Sequence, residues 1–230
     1  MALETRQRFD EDGFCGPFVL GSPAQMSWAT LHLFRSVFST PGPLPEDAFV
    51  DRHLDSPVVA QLCTHPAILA QIAPLLGSDL VVWRSLFFSK GPNGVEIPWH
   101  QDAYFWKLEP PITVTAWLAI DRAHSRDHCL EVIPGSHRTV LPHLAAPPGC
   151  QFPQTTDPQS FDASRAVELE MEPGTFILFD HRLIHRSRAG GEGRRLALSA
   201  RIAPSFVKID PSLLPPSGRV LPITAAERAS

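Results

Sequence analysis

The sequence predicts a mainly β protein in which N-terminal helices pack on a sandwich or barrel of antiparallel strands. Up to about residue 77, apolar residues recur at the spacing of helices. From residue 80 onward, short runs rich in β-branched, leucine and aromatic residues alternate with turn residues. Helices followed by a succession of strands indicate two packed layers. With 43% hydrophobic and 19% charged residues, the 230-residue chain is expected to form one domain over residues 1–230.

Two helices are predicted in the first third of the chain. The segment SPAQMSWATLHLFRSVF begins with Ser22 as a candidate N-cap, followed by Pro23 at the first helical position. The segment HPAILAQIAPLLG is predicted as the second helix, which ends at Gly77, although Pro74 weakens its last turn. The proline-rich segment between them, residues 39–49, is predicted as a loop.

The strands are predicted from short apolar runs that are bounded by turn residues. Their ranges are 80–88, 113–120, 128–134, 166–171, 174–180 and 195–203. The segment 141–162 is too polar and too rich in proline for a strand or helix. It is therefore predicted as a long ordered loop that covers another part of the protein.

Composition and charge argue against several classes of partner. A net charge of −4 and a pI near 6.2 give no basic surface for nucleic acid. No apolar run approaches the roughly 20 residues that span a bilayer. We therefore expect neither a nucleic-acid nor a membrane partner. The four cysteines are scattered without a CxxC pair, which indicates reduced thiols in a cytoplasmic protein rather than a disulfide framework or a zinc site.

The stretch IPWHQDAYFW carries a candidate metal site, because it places an imidazole and a carboxylate two residues apart. In a strand, His100 and Asp102 would point to the same face, roughly 6.6 Å apart, and could converge on one ion where the strand ends or bends. A third ligand is expected in FDHRLIHRS, which contains His181 and His185. If the preceding strand continued, these two would be roughly 13 Å apart, so only one can join the site. His185 is the better candidate because it precedes a glycine-rich turn and a returning strand that begins with arginine.

Two histidines and one carboxylate occupy one face of an octahedron and leave the remaining positions open. This arrangement is typical of non-heme Fe(II) oxygenases, whereas zinc favours a closed tetrahedral site, for which the sequence suggests no fourth ligand. Arg195 begins the returning strand, and its fixed fork of donors can hold a carboxylate through two hydrogen bonds. A 2-oxo acid that chelates the iron at one end would present its far carboxylate to Arg195.

Five segments of the chain, taken in order, resemble the phytanoyl-CoA dioxygenase family of Fe(II)- and 2-oxoglutarate-dependent oxygenases. They are WHQD, VTAWLAID, CLEVIPGSH, GTFILFDHRLIHRS and RRLALSAR, and the likeness extends from about residue 55 to residue 203. The resemblance implies a mainly β fold, the double-stranded β-helix or jelly roll, with the N-terminal helices packed on the sheet. It also implies that the protein uses Fe(II), 2-oxoglutarate and O2.

The resemblance implies two sets of site residues. The iron ligands are His100, Asp102 and His185. The residues at 2-oxoglutarate are Arg195, which binds the C5 carboxylate, Ser187, which assists it, and Trp117 and Gln101, which line the pocket. The spacing from the distal histidine to Arg195 is one residue shorter than is usual in the family, and the adjacent Arg194 is kept as a rival. The alternation of Arg195, Ala197 and Ser199 favours Arg195.

The resemblance implies that the protein hydroxylates or oxidatively cyclises a small metabolite and releases succinate and CO2. Related halogenases leave the position of Asp102 to alanine or glycine, so a carboxylate there argues against halogenation. The pocket rim is expected from residues 39–55, 103–111 and 141–165, which contain few cationic groups and do not favour a CoA thioester. Short members of the family, including orthosomycin-type oxygenases that act on sugars, tailor natural products. This suggests antibiotic or other secondary-metabolite biosynthesis.

Two alternatives stay open from the sequence. A cupin-like metal-dependent isomerase would need the three metal ligands but not Arg195. A noncatalytic jelly-roll binding module would carry the same three residues as surface groups without a metal. The aromatic residues that follow the metal motif, Tyr104, Phe105 and Trp106, are interpreted as pocket wall or as substrate contacts. The sequence predicts no particular oligomeric state.

Overall fold

The computed structural model describes residues 2–44, 47–125, 128–189, 191 and 193–223 of the protein. Most of its helical residues lie in the first third of the chain. The α-helices are α1 (Ala2–Asp12), α2 (Pro23–His32), α3 (Pro57–Cys63) and α4 (Pro66–Leu76), and α2 continues into a π-helical turn at Leu33–Val37. Short 3-10 helices lie at Arg52–Leu54, Asp102–Tyr104, Ser136–Arg138, Ala163–Arg165 and Pro211–Leu213.

The two predicted helices are confirmed, and their ends are set by the expected residues. The Ser22 hydroxyl accepts the backbone N–H of Gln25 at 3.3 Å, and the Gln25 side chain accepts the backbone N–H of Ser22 at 2.7 Å, which closes a capping box. Pro23 takes the first helical position of α2. Helix α4 ends before Gly77, whose φ of 84° is readily adopted by glycine, and it tolerates Pro74 in its last turn.

The strands pair in antiparallel fashion throughout the described part of the chain. In chain order they are β1 (Phe14–Val19), β2 (Leu80–Lys90), β3 (Ile97–His100), β4 (Leu108–Glu109), β5 (Val114–Ala119), β6 (Leu130–Val132), β7 (His143–Ala145), β8 (Gln154–Thr156), β9 (Val167–Leu169), β10 (Thr175–Asp180), β11 (His185–Ser187), β12 (Arg195–Pro204), β13 (Lys208–Ile209) and β14 (Leu221–Pro222). One sheet has the order β1-β10-β5-β12-β2-β14, and a second has the order β3-β11-β6-β9. Two smaller pairs, β13 with β4 and β7 with β8, complete the pattern.

The central strands of the six-stranded sheet are buried on both faces. On β5, Leu118 packs with Ile72 of α4 in one apolar cluster, whereas its neighbour Trp117 packs in another cluster with Leu130 and Val132 of the second sheet. The same alternation repeats along β10 and β12. Helices therefore cover one face and the second sheet covers the other. Strands buried on both faces have nearly continuous apolar sequences, which is why they could be identified from the sequence.

The predicted fold class is confirmed as a mainly β arrangement of antiparallel sheets with helices. Each predicted strand is present with ends displaced by at most two residues. The predicted loop at 39–49 has no helix or strand at its described residues, 39–44 and 47–49. The prediction that 141–162 contains no element is wrong, because β7 and β8 form a hairpin there. Strand β1 was not predicted.

Among the residues that the structure describes, no single helix is both long enough and apolar enough to span a membrane. Helices α3 and α4 reach the required length and hydropathy only as a pair, and this pair is bent by 46°. Their buried residues, including Val59, Ile68 and Ile72, lie in the apolar cluster between the helices and the six-stranded sheet.

Gly174 generates a stability prediction, because it precedes β10 at a φ of 85° and packs against the backbone of Gly21. A Cβ at Gly174 would overlap the Gly21 carbonyl, whereas a Cβ at Gly149, which has a φ of 90°, would meet nothing within 4 Å. We expect Gly149→Ala to lower the free energy of unfolding by about 1 kcal/mol and Gly174→Ala by roughly 2–4 kcal/mol. Urea denaturation of both variants measures the difference. Equal losses would show that the close approach of the two backbones does not matter.

Candidate metal centre

Three buried side chains meet where a short strand of the second sheet ends. Strand β3 ends at His100, and Asp102 begins the 3-10 turn that follows, so the backbone bends between them. His185 begins β11 and lies directly opposite His100 in the register of the two strands. One ligand atom from each residue lies within 4.8 Å of the others, and none of the three is more than 5% exposed. The structure therefore brings the three predicted metal ligands together at the predicted bend.

The rings of both histidines are oriented for metal binding. Nδ1 of His100 lies 2.8 Å from the carbonyl oxygen of Pro98, and Nδ1 of His185 lies 2.9 Å from that of Leu183. A carbonyl oxygen can only accept, so Nδ1 carries the proton in each neutral ring and Nε2 keeps its lone pair. Nε2 of His100 lies 3.7 Å from Oδ1 of Asp102. The backbone contacts thus fix the tautomer and the ring direction that a metal ligand requires.

Burial and neighbouring charges keep the ligands in the states that bind a cation. Burial, followed by the charge of His100, lowers the pKa of His185 to about 3, so this ring is neutral at pH 7. Burial by itself would raise the pKa of Asp102, but the neighbouring His100 and the charge of Arg201 lower it to about 2. A neutral imidazole and an ionised carboxylate can bind a metal without releasing protons first. Two nitrogen donors and one carboxylate, all on one side, fit Fe(II).

Arg195 lies in the same pocket as a buried cation. It is 1% exposed, its Nη1 donates to the carbonyl of His128, and its Nε has no partner among the described residues. No carboxylate in that part of the chain is within ion-pair distance of it. Its guanidinium carbon lies 5.3 Å from the centre of the Trp117 ring. Burial lowers the pKa of Arg195 to about 10, so the side chain is still charged at pH 7. A buried charge without a counterion is costly, so the arrangement fits an anionic ligand such as the far carboxylate of 2-oxoglutarate.

Ser187 and Trp117 line the pocket between the metal ligands and Arg195. Ser187 lies two residues after His185 on β11 and therefore on the same face of the strand. Its hydroxyl is buried and has no hydrogen-bond partner among the described residues, so it is available to a ligand. Trp117 is 2% exposed and forms a wall of the pocket. The structure places both residues where the sequence predicted, and their contacts with the co-substrate stay predictions.

Gln101 requires a correction, because the structure places its amide away from the pocket. Its Nε2 donates to the carbonyls of Thr139, at 2.8 Å, and Arg182, at 2.5 Å, and its Oε1 accepts the backbone N–H of Leu141 at 2.7 Å. Residues adjacent in an extended segment point to opposite sides, so a residue that follows the ligand His100 turns outward. Gln101 therefore connects the loop at 139–141 to the metal-bearing strand, and it does not line the co-substrate pocket.

The rival candidates lie outside the site. His181 is buried next to Asp180, with Nδ1 3.4 Å from Oδ1, and its carbonyl accepts the backbone N–H of Ala103 at 2.8 Å. It lines a different cavity from His185 and is not a wall of the metal pocket. Arg194 is half-exposed and pairs with Asp121, with Nε 3.1 Å from Oδ2. Arg195 and not Arg194 thus faces the metal pocket.

Lys90 is a buried cation beside the site that the sequence analysis missed. It lies opposite Arg195 in the register of β2 and β12, and its Nζ donates to the carbonyls of Ser187, at 3.0 Å, and Arg188, at 3.1 Å. Burial and the charge of Arg195 lower its pKa to about 7. The predicted strand 80–88 ends two residues before Lys90. Phe88 lines the metal pocket, and a period-2 count from it places Lys90 on the same face of β2.

The aromatic residues after the metal motif have different environments. Tyr104 is 40% exposed and stacks on His143 with ring centroids 4.0 Å apart. Phe105 packs edge-on to Phe152, at 5.9 Å, and Phe152 in turn lies 4.8 Å from the ring of His100. Phe152 belongs to the segment 141–162, which therefore lies over the metal centre; the sequence predicted a covering segment but not what it covers. Trp106 lines a larger cavity next to the metal pocket.

The family model described as phytanoyl-CoA dioxygenase (PhyH) matches residues 35–196, well over half of the chain. The chain belongs to the phytanoyl-CoA dioxygenase family. Membership confirms the resemblance that the motifs indicated. The family is that of the predicted class of enzyme, the non-heme iron dioxygenases that use Fe(II) and 2-oxoglutarate.

This chain is also similar to individual curated proteins and solved structures. A probable phytanoyl-CoA dioxygenase of Caenorhabditis elegans is 30% identical over 168 residues, which are 65% of this chain and 52% of that protein. The chain thus spans about half the length of the curated relatives that it matches. Among solved structures, the non-heme monooxygenase ThoJ in its apo form has a TM-score of 0.76 at 24% identity, covering 89% of this chain and 79% of that chain. The α-ketoglutarate-dependent epimerase SnoN from nogalamycin biosynthesis has a TM-score of 0.72 at 20% identity, covering 98% of this chain and 96% of that chain. At these identities, the two structures show a shared fold.

Lys90 generates a pH prediction for this member of the family. Because its pKa is about 7, one of two adjacent positive charges beside the pocket is lost as the pH rises through that value. We expect the affinity for the dianion 2-oxoglutarate to decline over this interval. Lys90→Met should bind 2-oxoglutarate roughly tenfold more weakly below pH 7 and should show little change with pH. Calorimetric titration at several pH values measures both effects. A substitution of an exposed lysine, Lys107→Met, is the control. If the affinity of Lys90→Met for 2-oxoglutarate changed with pH as it does in the wild type, Lys90 would not be the titrating group.

Proposed function

We propose that the protein is an Fe(II)- and 2-oxoglutarate-dependent dioxygenase that hydroxylates or oxidatively cyclises a small metabolite. The observation that carries this proposal is the buried Arg195, without a carboxylate partner in the described chain, in the same pocket as the three metal ligands. A metal site alone serves many reactions. A metal site with a charged anion receptor beside it supports a reaction that uses an anionic co-substrate.

The iron site would be held by His100, Asp102 and His185, and 2-oxoglutarate would extend from the metal toward Arg195. When bound, Fe(II), O2 and 2-oxoglutarate together supply the oxidising power, and the co-substrate leaves as succinate and CO2. The chain itself orients these groups. Trp117 and Ser187 fix the position of the co-substrate along the pocket. Phe152 lies over His100 and helps to exclude water from the metal.

The donor set and the fold support the finer parts of the proposal. The carboxylate of Asp102 occupies the third ligand position, which supports hydroxylation or ring closure rather than halogenation. The two antiparallel sheets with their covering helices support assignment to the double-stranded β-helix. The fold shared with SnoN, a protein of nogalamycin biosynthesis, supports a substrate from antibiotic or other secondary metabolism, such as a sugar-containing one.

All four cysteines are free thiols, which supports a cytoplasmic location.

The alternatives fit the observed burial less well. A noncatalytic binding module would leave the three ligand residues at the surface, whereas each is at most 5% exposed. A cupin-like isomerase would have no use for a buried, charged Arg195. Its neighbour Arg194 is exposed and contacts Asp121 instead, so it provides a matched comparison.

An anaerobic titration with Fe(II) and 2-oxoglutarate tests the proposal. We expect a metal-to-ligand charge-transfer band in the wild type and its loss in His185→Ala and Asp102→Ala. Arg195→Ala should retain metal binding but weaken 2-oxoglutarate binding roughly tenfold or more, because a charge-assisted pair is removed. Arg194→Ala should behave as the wild type.

Absence of the band in the wild type would refute the proposed function. An Arg195→Ala variant with full affinity for 2-oxoglutarate would favour the isomerase instead. Circular dichroism of each variant establishes that the fold is retained before its binding is compared.

A further inference from the structure

A second cavity adjoins the metal pocket and is large enough for a small metabolite. Its volume is about 680 Å³, and Arg201 lines both this cavity and the metal pocket. Its walls include residues from each of the three segments that the sequence predicted for the rim, namely Leu44, Asp47 and Val50, then Trp106, then Gln151 and Phe152. Its remaining lining comes largely from β2 and β12. The predicted rim is thus present, but strands of the sheet supply the floor.

Two arginines face each other on that floor. Arg84 of β2 lies directly opposite Arg201 of β12, at the point where a β-bulge shifts the register of the two strands. Both side chains line the cavity. Like charges directly opposite each other on antiparallel strands destabilise a sheet. Bulges commonly occur beside active sites, where they redirect a side chain. The pair is therefore an unfavourable arrangement for folding unless an anion lies near it.

Arg201 has unused capacity to bind an anion. It is 5% exposed, and its Nε has no hydrogen-bond partner among the described residues. Its Nη2 lies 4.0 Å from Oδ1 of Asp102, which is too far for a hydrogen bond. Its guanidinium carbon lies 4.4 Å above the centre of the Trp106 ring, which holds the group in place. When Asp102 binds a metal ion, its negative charge is shared with that ion, and Arg201 is left still less compensated.

Arg84 is partly compensated by the protein. Its Nη2 lies 3.5 Å from Oδ2 of Asp51, a fully buried carboxylate, and its own Nε has no partner in the described chain. Oδ1 of Asp51 accepts the backbone N–H of Ser85 at 3.0 Å, which ties this carboxylate to the strand, and its charge acts on Arg201 only from beyond ion-pair distance. Asp47 also lines the cavity, but it is exposed and accepts the backbone N–H of Phe49 at 2.9 Å. Asp51 thus compensates Arg84 in part, whereas Arg201 has no hydrogen-bonded carboxylate among the described residues.

We propose that this cavity binds the primary substrate through an anionic group, a carboxylate or a phosphate, which Arg84 and Arg201 hold, while Trp106 and Phe152 contact the remainder. The proposal rests on the proposed function and specifies its substrate class. Guanidinium groups recognise planar or tetrahedral oxyanions through paired hydrogen bonds. Because Arg201 lies 4.0 Å from a metal-ligand oxygen, the carbon that is oxidised lies within a few bonds of the anionic group.

A simpler role for Arg201 is to balance the charge of Asp102. That role would make no use of Arg84, which contacts Asp51 and not Asp102. Arg84→Gln is therefore the decisive variant, because it alters the proposed substrate contact without touching a metal ligand. Arg201→Gln is the companion variant, and the exposed Arg165→Gln is the control.

Anaerobic calorimetry of the protein loaded with Fe(II) and 2-oxoglutarate tests the proposal with three matched probes. Phenylacetate carries a carboxylate, phenyl phosphate carries a phosphate, and phenylacetamide is the neutral analogue of the first. We expect at least one acid to bind roughly tenfold or more tightly than the amide. Arg84→Gln and Arg201→Gln should each remove most of this preference, whereas Arg165→Gln should retain it. The preferred acid identifies the anion.

Equal binding of acid and amide, or no binding of either acid at millimolar concentration, would overturn the proposal. A preference that survives in Arg84→Gln would overturn it as well. The charge-transfer band is recorded before any probe is added. A wild type without the band refutes the proposed function itself, whereas a wild type with the band but no acid preference refutes only the anionic substrate.

Discussion

The metal centre depends on the register in which β11 pairs with β3. His185 lies opposite His100, and residues directly opposite in antiparallel strands project to the same face, so both rings enter one pocket. A shift of one residue would turn His185 to the other face of the sheet. Two contacts hold the register: His185 also lies opposite Val132 of β6, and the backbone N–H of Ile184 donates to the Ser136 hydroxyl at 2.9 Å. A hydrogen bond of the residue next to His185 thus helps to decide whether a metal can bind.

Strand β12 combines a structural face with a ligand-binding face. Leu196 and Leu198 pack toward the helices, whereas Arg195, Ser199 and Arg201 line the metal pocket. Six residues of extended chain separate the two arginines by roughly 20 Å, so one strand carries a cation at each end of the pocket. Neither cation is fully compensated by the described part of the chain. Anions that bind the folded protein and not the unfolded chain would therefore stabilise the fold as well as take part in the reaction.

The sequence predicted those elements whose burial in the fold matches their pattern of apolar residues along the chain. Strands buried on both faces, such as β10, have apolar sequences that few other structures would explain. Strand β1 was missed because Gly16 and Pro17 argue against a strand, yet β1 lies at the edge of the sheet, where an absent N–H is tolerated. The ligands were found because His100 and Asp102 share one segment. Gln101 was misplaced because a motif specifies which residues are adjacent and not which way each side chain turns.

The arginines of the second cavity were not predicted, for a related reason. The three rim segments contain few cations, and that observation remains correct. The cations come instead from the floor, where Arg84 and Arg201 meet only because β2 and β12 pair across more than a hundred residues of sequence. The pattern of Arg195, Ala197 and Ser199 would have led to Arg201 if it had been continued by one step. The loops provide most of the apolar walls of the cavity, and the sheet provides the charges that the proposed ligands would contact.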